Sequence, residues 1–255
     1  MRLARHSGAM DPQSPAAPRR IAIFGASGGI GAALGAALLD RSDGAVIYAA
    51  ARHPPAPRPG LIPLAFDLLD EASIAAVAAT IGADGPLDLV LVATGALVLP
   101  GGSGPEKSLR ALDPAAMAQA FALNTIGPAL IAKHLLPILA RDRRAVFAAL
   151  SARVGSITDN RLGGWHSYRA SKAALNMVVR NCAIELGRSH PQAIAVTLHP
   201  GTVDTALSAP FQRGVAAQKL FTAGMSAGHL LAVIDCLTPA DSGGLFAWDG
   251  ARIAY

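Results

Sequence analysis

From Arg20 onward, the chain alternates short apolar segments with longer helical ones. The apolar segments are IAIF at residue 21, AVIYAA at 45, LIPLAF at 61, LDLVLVA at 87, AVFAAL at 145, AIAVTLH at 193 and GLFAW at 244. Strands buried on both faces of a parallel sheet are apolar throughout in this way. Helices are predicted between them, over residues 31–39, 71–81, 114–139, 168–189 and 226–237. This order predicts an α/β fold: one Rossmann-type, doubly wound domain whose central parallel sheet has about seven strands, with helices on both faces.

Composition favours one compact domain. The chain has 255 residues, 52% of them hydrophobic and 15% charged, which is enough apolar material for a large core. No solenoid-length repeat and no Pro/Gly linker divides residues 20–255, so we expect a single domain there. Residues 1–19 lack an apolar targeting segment and contain three prolines, which predicts a disordered leader. The two cysteines lie far apart and form no Cys-x-x-Cys pair, which favours a reducing, cytoplasmic setting.

Charge and hydropathy argue against several other classes of protein. The net charge of +5 comes largely from arginines in or beside the leader and from one short cluster at 141–144. No aromatic residues interleave with these arginines, so a nucleic-acid partner is not expected. The apolar run ALIAKHLLPILA is interrupted by Lys133, His134 and Pro137, so a membrane span is not expected either. No His, Asp and Glu pattern has metal-ligand spacing, and no metal is predicted.

Glycines cluster where the first strand meets the first helix. The segment GASGGIG places Gly25, Gly29 and Gly31 in that turn. Gly25 permits a tight turn, and Gly29 lets backbone N–H groups approach a pyrophosphate at the positive end of the helix. Glycines also serve close strand-to-helix packing without any ligand. The position after a strand and before a helix favours a dinucleotide site.

The end of the second predicted strand bears on which nicotinamide cofactor binds. A carboxylate at this position pairs with the 2′-hydroxyl of the ribose in NAD(H), whereas an arginine accepts the 2′-phosphate of NADP(H). The segment YAAARHPP has Ala51 where the acid would stand, followed by Arg52. We therefore expect NADP(H) to be favoured over NAD(H). The alternative is that Arg52 is a solvated loop residue ahead of a proline-rich stretch.

A tyrosine and a lysine share one face of the predicted helix over residues 168–189. Tyr168 and Lys172 are four residues apart, so their side chains lie one above the other. The pKa of an unperturbed tyrosine is ~10, and a neighbouring ammonium group would lower it. Tyr168 would then exchange a proton with a carbonyl or alcohol while hydride moves at the nicotinamide. Taken alone, the spacing fits equally well with an incidental surface pair on a core-packed helix.

The Tyr168–Lys172 pair belongs to a series of five segments that follow one another along the chain. They are GASGGIG, FALNTIG with Asn124, SARVGSITDN, YRASK with the pair itself, and HPGTVDT. With them, the chain resembles the short-chain dehydrogenase/reductase family over about residues 20–255. The likeness of residues 151–176 extends in particular to the subgroup of the bacterial C-factor and the Sniffer-like carbonyl reductases. The resemblance implies that Tyr168 is the acid/base, Lys172 tunes it and holds the nicotinamide ribose, and Asn124 supports a proton relay. The alternative for Asn124 is a side chain that satisfies the backbone of a helix bent near Pro128.

The same resemblance implies a set of cofactor contacts. Besides Arg52, Tyr168 and Lys172, these are Gly25, Ser27, Gly28, Gly29, Ile30, Gly31, Asp67, Leu68, Ala93, Gly95, Pro200, Gly201, Val203 and Thr205. In this family the Asp67 position faces the adenine edge. Its alternative is a cap or turn carboxylate ahead of the next helix. Ala93 departs from the pattern, because the family commonly has an asparagine in that segment.

The serine segment is a second departure from the family. Family members usually show two adjacent serines, the second of which binds the substrate carbonyl, but here the pair is Ser151 and Ala152. Ser151 is predicted to take that role, with Ser156 or no serine at all as the alternatives. Residues 207–221 lack a clear period, as a substrate lid or a variable loop would, and His166 is expected to line the pocket.

Together these features predict an NADP(H)-dependent oxidoreductase that moves hydride between the nicotinamide and a small carbonyl or alcohol substrate. The alternative is a dinucleotide-binding signalling protein of the C-factor type with little or no catalysis. By analogy with relatives, the long helices over 114–139 and 168–189 predict a homodimer or homotetramer.

Overall fold

The computed structural model describes residues 19–41, 44–102, 104–213, 216 and 219–255. The predicted leader, apart from Arg19, lies outside these ranges. The ten strands in the described part are β1 (Arg20–Phe24), β2 (Val46–Ala51), β3 (Leu61–Ala65), β4 (Leu89–Val92), β5 (Ala145–Leu150), β6 (Ala193–His199), β7 (Thr202–Val203), β8 (Leu220–Phe221), β9 (Leu245–Ala247) and β10 (Arg252–Ile253). The α-helices there are α1 (Gly29–Arg41), α2 (Glu71–Ala83), α3 (Pro114–Phe121), α4 (Gly127–Leu135), α5 (His166–Leu186) and α6 (Ala223–Cys236).

The main sheet has eight strands in the order β3-β2-β1-β4-β5-β6-β9-β10. Every neighbouring pair is parallel except β9 and β10. The seven parallel strands are the seven predicted, and the Rossmann-type α/β fold is confirmed. The two-residue strands β7, β8 and β10 were not predicted, because two residues carry no alternation that could mark a strand. The strand order reverses between β1 and β4, which is where doubly wound folds bind ligands.

Two apolar layers cover the two faces of the sheet. On one face, α1 and α6 bury leucines such as Leu34 and Leu230 against Ile21 of β1 and its neighbours. On the other face, α2, α4 and α5 pack on a layer that contains Phe24 and Phe147. The strands are therefore buried from both sides, which is why their sequences are apolar without alternation. Burial on both faces leaves the carboxyl edge of the sheet as the place for polar chemistry.

The helix predicted over 114–139 is present as one continuous helical stretch, Pro114–Ile138, which is not a regular α-helix throughout. A π-helical turn at Ala122–Ile126 separates α3 from α4, and a 3-10 turn at Leu136–Ile138 follows α4. Pro128 has no N–H, so the carbonyl of Asn124 lacks its ordinary helical donor, and the helix widens at this point. The stretch Pro114–Ile138 is long and apolar enough to cross a membrane by length and composition alone, yet α4 packs against α2, α5 and β4.

Candidate active site

The turn between β1 and α1 is built by close backbone packing. Gly25 has a φ of 87°, and a Cβ on it would lie 2.8 Å from the carbonyl oxygen of Ala93. The Gly28 N–H donates to the Gly25 carbonyl at 3.0 Å, and Gly31 packs directly on that same carbonyl. Ser27 lies in this turn, followed by Gly29 and Ile30 in the first turn of α1, which carries no acidic residue. This cradle fits an anionic pyrophosphate, because nothing negative opposes the helix N-terminus.

Arg52 and Asp67 follow the ends of β2 and β3. Arg52 is exposed and comes directly after Ala51, the last residue of β2. Asp67 is engaged in a turn: its Oδ1 accepts from the Leu69 N–H at 2.9 Å, and its own N–H donates to Ser73 at 2.9 Å. The turn role that the sequence left open for Asp67 is therefore present. Leu68 is buried, with its side chain against Gly127 at the start of α4.

Asn124 ties the loop after β4 to α5. Its side chain is fully buried, with Oδ1 accepting from the Ala96 N–H at 2.8 Å and Nδ2 donating to the Ala96 carbonyl at 2.9 Å. Nδ2 also donates to the Ser171 hydroxyl at 3.2 Å. Gly95 permits this approach, since a Cβ there would lie 3.1 Å from Asn124 Oδ1. The side chain thus satisfies the backbone of the neighbouring loop, rather than the bent helix that carries it.

Tyr168 and Lys172 lie one turn apart on the cleft side of α5. The Lys172 Nζ donates to the Leu150 carbonyl at 2.9 Å and lies 5.9 Å from the centre of the Tyr168 ring. Lys172 is only 3% exposed. Gly155 allows α5 to come this close, because a Cβ on it would lie 2.9 Å from Lys172. The two side chains are therefore held together by core packing, and the interpretation of an incidental surface pair is wrong.

The expected lowering of the Tyr168 pKa is contradicted by the structure. Burial raises the pKa of Tyr168 to about 12 and lowers the pKa of Lys172 to about 8. The reason is desolvation, because both side chains lose water around their charged forms in this part of the cleft. In this state Tyr168 is a neutral phenol, which suits it to donate a proton rather than to accept one.

Of the two candidate serines, only Ser151 faces the cleft. Its N–H extends the β5–β6 ladder by donating to the Leu198 carbonyl, and its hydroxyl oxygen is buried with no hydrogen-bond partner in the described part of the chain. Ser156 donates to the Ala254 carbonyl at 2.5 Å and accepts from the Asp159 N–H at 3.1 Å. Ser156 therefore fastens the C-terminal residues, and Ser151 remains the candidate for the substrate oxygen.

Two cavities flank Tyr168. The first has a volume of about 310 Å³ and is lined by Ile30, Leu97, Ser151, Ala152, Arg153, Val154, Trp165, Tyr168, His199, Pro200, Gly201, Thr202, Val203, Thr205, Leu207, Ser208 and Phe211. The second, of about 410 Å³, shares Leu97 and Tyr168 with the first and extends along Gly104–Lys107 and α3. His166 lines neither cavity, contrary to the expectation from sequence. The HPGTVDT segment and the start of the 207–221 region do reach the first.

Three residues at the cleft were missed by sequence analysis. Trp165 and Phe211 line the first cavity, and Glu106 holds the start of α5 by accepting from the N–H and the hydroxyl of Ser167. The hydrogen bonds from Ser167 keep the pKa of Glu106 below its usual value even though burial opposes this. Trp165 had one available signal, the Gly-Gly pair before it. Glu106 had none, because it reaches the site from a segment distant in sequence. Phe211 was not singled out as a site residue, although it lies within residues 207–221, which were expected to form a substrate lid or a variable loop.

Comparisons with known sequences agree with this geometry. A family profile described as short chain dehydrogenase matches residues 19–215. The C-signal protein of Myxococcus xanthus is 34% identical over 172 residues, which are 67% of this chain and 94% of that protein. The 1-hydroxy-2-glutathionyl-2-methyl-3-butene dehydrogenase of Rhodococcus sp. (strain AD45) is 32% identical over 190 residues, 74% of this chain and 78% of that enzyme.

Solved structures give the same picture of the fold. The NADPH-bound carbonyl reductase from chicken fatty liver superposes with a TM-score of 0.82 at 26% identity, covering 96% of this chain and 97% of that one. The carbonyl reductase Sniffer of Drosophila melanogaster superposes with a TM-score of 0.80 at 23% identity, covering 93% and 99%. At that identity, the likeness to Sniffer bears on the fold alone.

Proposed function

Because this chain belongs to the short chain dehydrogenase family and is an NAD(P)-binding oxidoreductase, we propose that it reduces small carbonyl compounds with NADPH, or oxidises the corresponding alcohols. One observation carries the proposal: Tyr168 and the unpartnered hydroxyl of Ser151 line one cavity, together with Ile30 and Thr205 beside the glycine turn. A carbonyl oxygen placed between two such hydroxyl groups would accept a hydrogen bond from each.

Each of these residues has a distinct task in the proposed reaction. When bound, the dinucleotide supplies the hydride that reduces the carbonyl carbon. Tyr168, neutral in this environment, donates its phenol proton to the carbonyl oxygen as negative charge develops there. Ser151 holds the same oxygen. Lys172, whose Nζ donates to the Leu150 carbonyl, would hold the nicotinamide ribose and return a proton to Tyr168. Asn124 would keep the neighbouring loop at Ala96 in position.

The dinucleotide contacts follow the cradle already described. We propose that the backbone of Gly25, Ser27, Gly28 and Gly29 faces the pyrophosphate, with Ile30 and Gly31 closing the turn. Ala93 and Gly95 would pass beneath the nicotinamide ribose, and Pro200, Gly201, Val203 and Thr205 would approach the nicotinamide. Asp67 and Leu68 would border the adenine. A Cβ on Gly29 would lie 2.7 Å from the methyl group of Thr205, so these two segments already meet over the glycine turn.

Arg52 supports the preference for NADP(H). It is exposed at the carboxyl end of β2, and the residue before it is Ala51 rather than a carboxylate that would repel a 2′-phosphate. A guanidinium group binds phosphate through two parallel hydrogen bonds. NADPH-bound carbonyl reductase from chicken and NADP-bound dehydrogenases from Burkholderia multivorans and Burkholderia cenocepacia are among the structural neighbours.

The proposal is tested by dinucleotide consumption across a panel of aldehydes and ketones, with NADPH and NADH side by side. We expect turnover with NADPH and a preference over NADH that falls about tenfold in Arg52→Ala, the value of one charge-assisted phosphate contact. His53→Ala, one residue further along the same exposed loop, is the matched control. An unchanged preference in Arg52→Ala removes Arg52 from the account, and no turnover with any carbonyl removes the proposed reaction.

A signalling protein is the second candidate function, favoured by the 34% identity to the C-signal of Myxococcus xanthus and by Ala152 in the usual serine position. Such a protein would bind the dinucleotide without turning over any carbonyl in the panel. The buried, packed Tyr168–Lys172 pair supports the enzyme over this candidate. A homodimer or homotetramer in the cytoplasm remains a proposal by analogy, and light scattering of the purified chain measures the oligomeric state.

A further inference from the structure

Three aromatic rings form a continuous wall on one side of the first cavity. The Trp165 and Tyr168 rings meet edge to face with centres 6.2 Å apart, and the Trp165 and Phe211 rings do so with centres 5.2 Å apart. All three residues line the cavity of about 310 Å³. The wall therefore runs from the proton-donating phenol across the cavity to the segment that follows β7.

Trp165 is held in an unusual backbone conformation. Its φ of 52° makes it the only non-glycine residue with a positive φ in the described part of the chain, and it follows Gly163 and Gly164, which also have positive φ. A bulky residue is disfavoured there and persists only when its surroundings fix it. Here the Trp165 N–H donates to the Glu106 carbonyl at 2.5 Å, and the Glu106 carboxylate accepts from Ser167. The chain thus fixes this indole against local preference, at the edge of the cavity.

Phe211 reaches the wall from a segment that is itself tied down. It ends the short 3-10 turn Ala209–Phe211, and its N–H donates to the Ser208 carbonyl at 2.8 Å. The neighbouring Gln212 side chain donates to Asp204 and to the Ser208 hydroxyl, both at 3.0 Å. The ring of Phe211 is therefore placed by its own segment before any ligand arrives.

The rest of the cavity agrees with an apolar, uncharged ligand. Leu97, Val154 and Leu207 contribute aliphatic surface to the lining. Arg153, a cation in the lining, is engaged with Asp159 at 3.2 Å, and His199 is kept neutral because burial lowers its pKa to about 4. The described lining thus presents no unpaired charge to a substrate carboxylate. Aromatic rings prefer partners with which they form offset or edge-to-face contacts.

We propose that Trp165 and Phe211 are specificity-determining residues that select aromatic aldehydes and ketones over small aliphatic ones. The inference rests on the proposed carbonyl reduction and adds the substrate class. In this arrangement the aromatic ring of the substrate contacts Trp165 and Phe211 while its carbonyl oxygen lies between Tyr168 and Ser151. Pro200, Gly201, Val203 and Thr205 line the same cavity, so the aromatic wall and the proposed nicotinamide contacts border one space of about 310 Å³.

The experiment compares kcat/KM for benzaldehyde and butanal with NADPH. Trp165→Leu and Phe211→Leu keep apolar bulk and remove the aromatic ring, whereas Trp165→Phe and Phe211→Tyr keep a ring. We expect each leucine variant to lose about tenfold in kcat/KM for benzaldehyde and less than about twofold for butanal, the size of one or two aromatic contacts. The ring-preserving variants should recover most of the loss. Leu162→Ala, 90% exposed in the same loop, should change neither value.

Three results would overturn the specificity proposal, and a fourth would overturn the proposed reaction. Equal losses for benzaldehyde and butanal in the leucine variants would show that the wall only supports Tyr168. Unchanged values for both substrates would show that the wall does not contact substrate. If the wild-type protein turns over butanal but not benzaldehyde, the specificity fails while the proposed reaction stands. If it turns over neither, nor any other carbonyl, the proposed reaction itself fails.

A binding measurement tests the same inference if the enzyme is slow with both aldehydes. Calorimetric titration of benzyl alcohol into the NADPH-loaded protein reports contact with the aromatic wall in a complex that cannot transfer hydride. We expect the benzyl alcohol affinity to fall about tenfold in Phe211→Leu, with the NADPH affinity unchanged. Equal benzyl alcohol affinities in the wild type and the variant would overturn the inference independently of turnover.

Discussion

The two sides of the cleft are built in different ways. The proposed dinucleotide side is made of backbone packed at glycines, where Gly25 and Gly31 touch one another and Gly29 opens α1. The proposed substrate side is made of side chains, Ser151, Trp165 and Phe211, that come from three separate segments. A backbone site is encoded by a few neighbouring residues, whereas a side-chain site exists only after the sheet and α5 have assembled.

The largest expected effect is a loss of NADPH affinity when only the proposed dinucleotide side of the cleft is changed. Gly29→Val places a side chain where the pyrophosphate is proposed to lie. Among the described residues, its Cβ would come close only to the movable side chain of Thr205. Loss of two charge-assisted hydrogen bonds corresponds to about a thousandfold weaker NADPH binding. Calorimetry measures the affinity, and circular dichroism checks the fold. Gly35→Ala, further along α1 with its nearest neighbour 3.6 Å away, is the control that should bind normally.

The next effect concerns Lys172, which joins the two sides. Burial lowers its pKa from 10.5 to about 8, so between these values the unfolded chain binds a proton that the folded chain does not. The free energy of unfolding contributed by this group therefore rises with pH across that window, by about 3 kcal/mol. Lys172→Met lacks this contribution. Urea unfolding without dinucleotide measures this. The free energy of unfolding of the wild type, relative to that of Lys172→Met, should be larger at pH 10 than at pH 7. The same difference at both pH values would contradict the burial of this amine.

A smaller effect separates the two serines on the side-chain half of the cleft. Ser151→Ala removes one hydroxyl from the proposed oxyanion position, which lowers kcat by about 100-fold with unchanged NADPH affinity. Ser156→Ala is the matched control: it should keep kcat and lose thermal stability, because its hydroxyl fastens the C-terminal residues. The opposite assignment, with Ser156→Ala inactive and Ser151→Ala active, would move the oxygen-binding role to Ser156.

The contrast between a backbone site and a side-chain site also explains which parts of the molecule could be predicted from sequence. Apolar strands and a glycine turn are local patterns, so the seven parallel strands and the cradle before α1 were predicted. Local pattern carried no information on Glu106, whose contact with Ser167 spans 61 residues of chain. It left the segment of Phe211 as either a lid or a loop, because the contact of that ring with Trp165 spans 46 residues. The helix predicted over 114–139 is present, but its π-helical turn was not predicted; Pro128 removes one amide from the helical ladder there, and the Asn124 side chain of that turn accepts from the Ala96 N–H.

The direction of the Tyr168 pKa was wrong for a related reason. Spacing places an ammonium group near the phenol, but it does not reveal how much water both groups lose. Lys172 is 3% exposed, and burial sets the pKa of both side chains. The chemistry of the pair therefore depends on the depth of the cleft, which the sequence does not state.

The central claim is that Tyr168 donates the proton in carbonyl reduction. Its most direct test is the single-turnover rate of NADPH oxidation in Tyr168→Phe, measured beside the NADPH dissociation constant. Loss of the proton donor is expected to lower the rate by about 10²- to 10⁴-fold, with the dissociation constant unchanged. A Tyr168→Phe protein that reduces carbonyls at the wild-type rate would contradict the account.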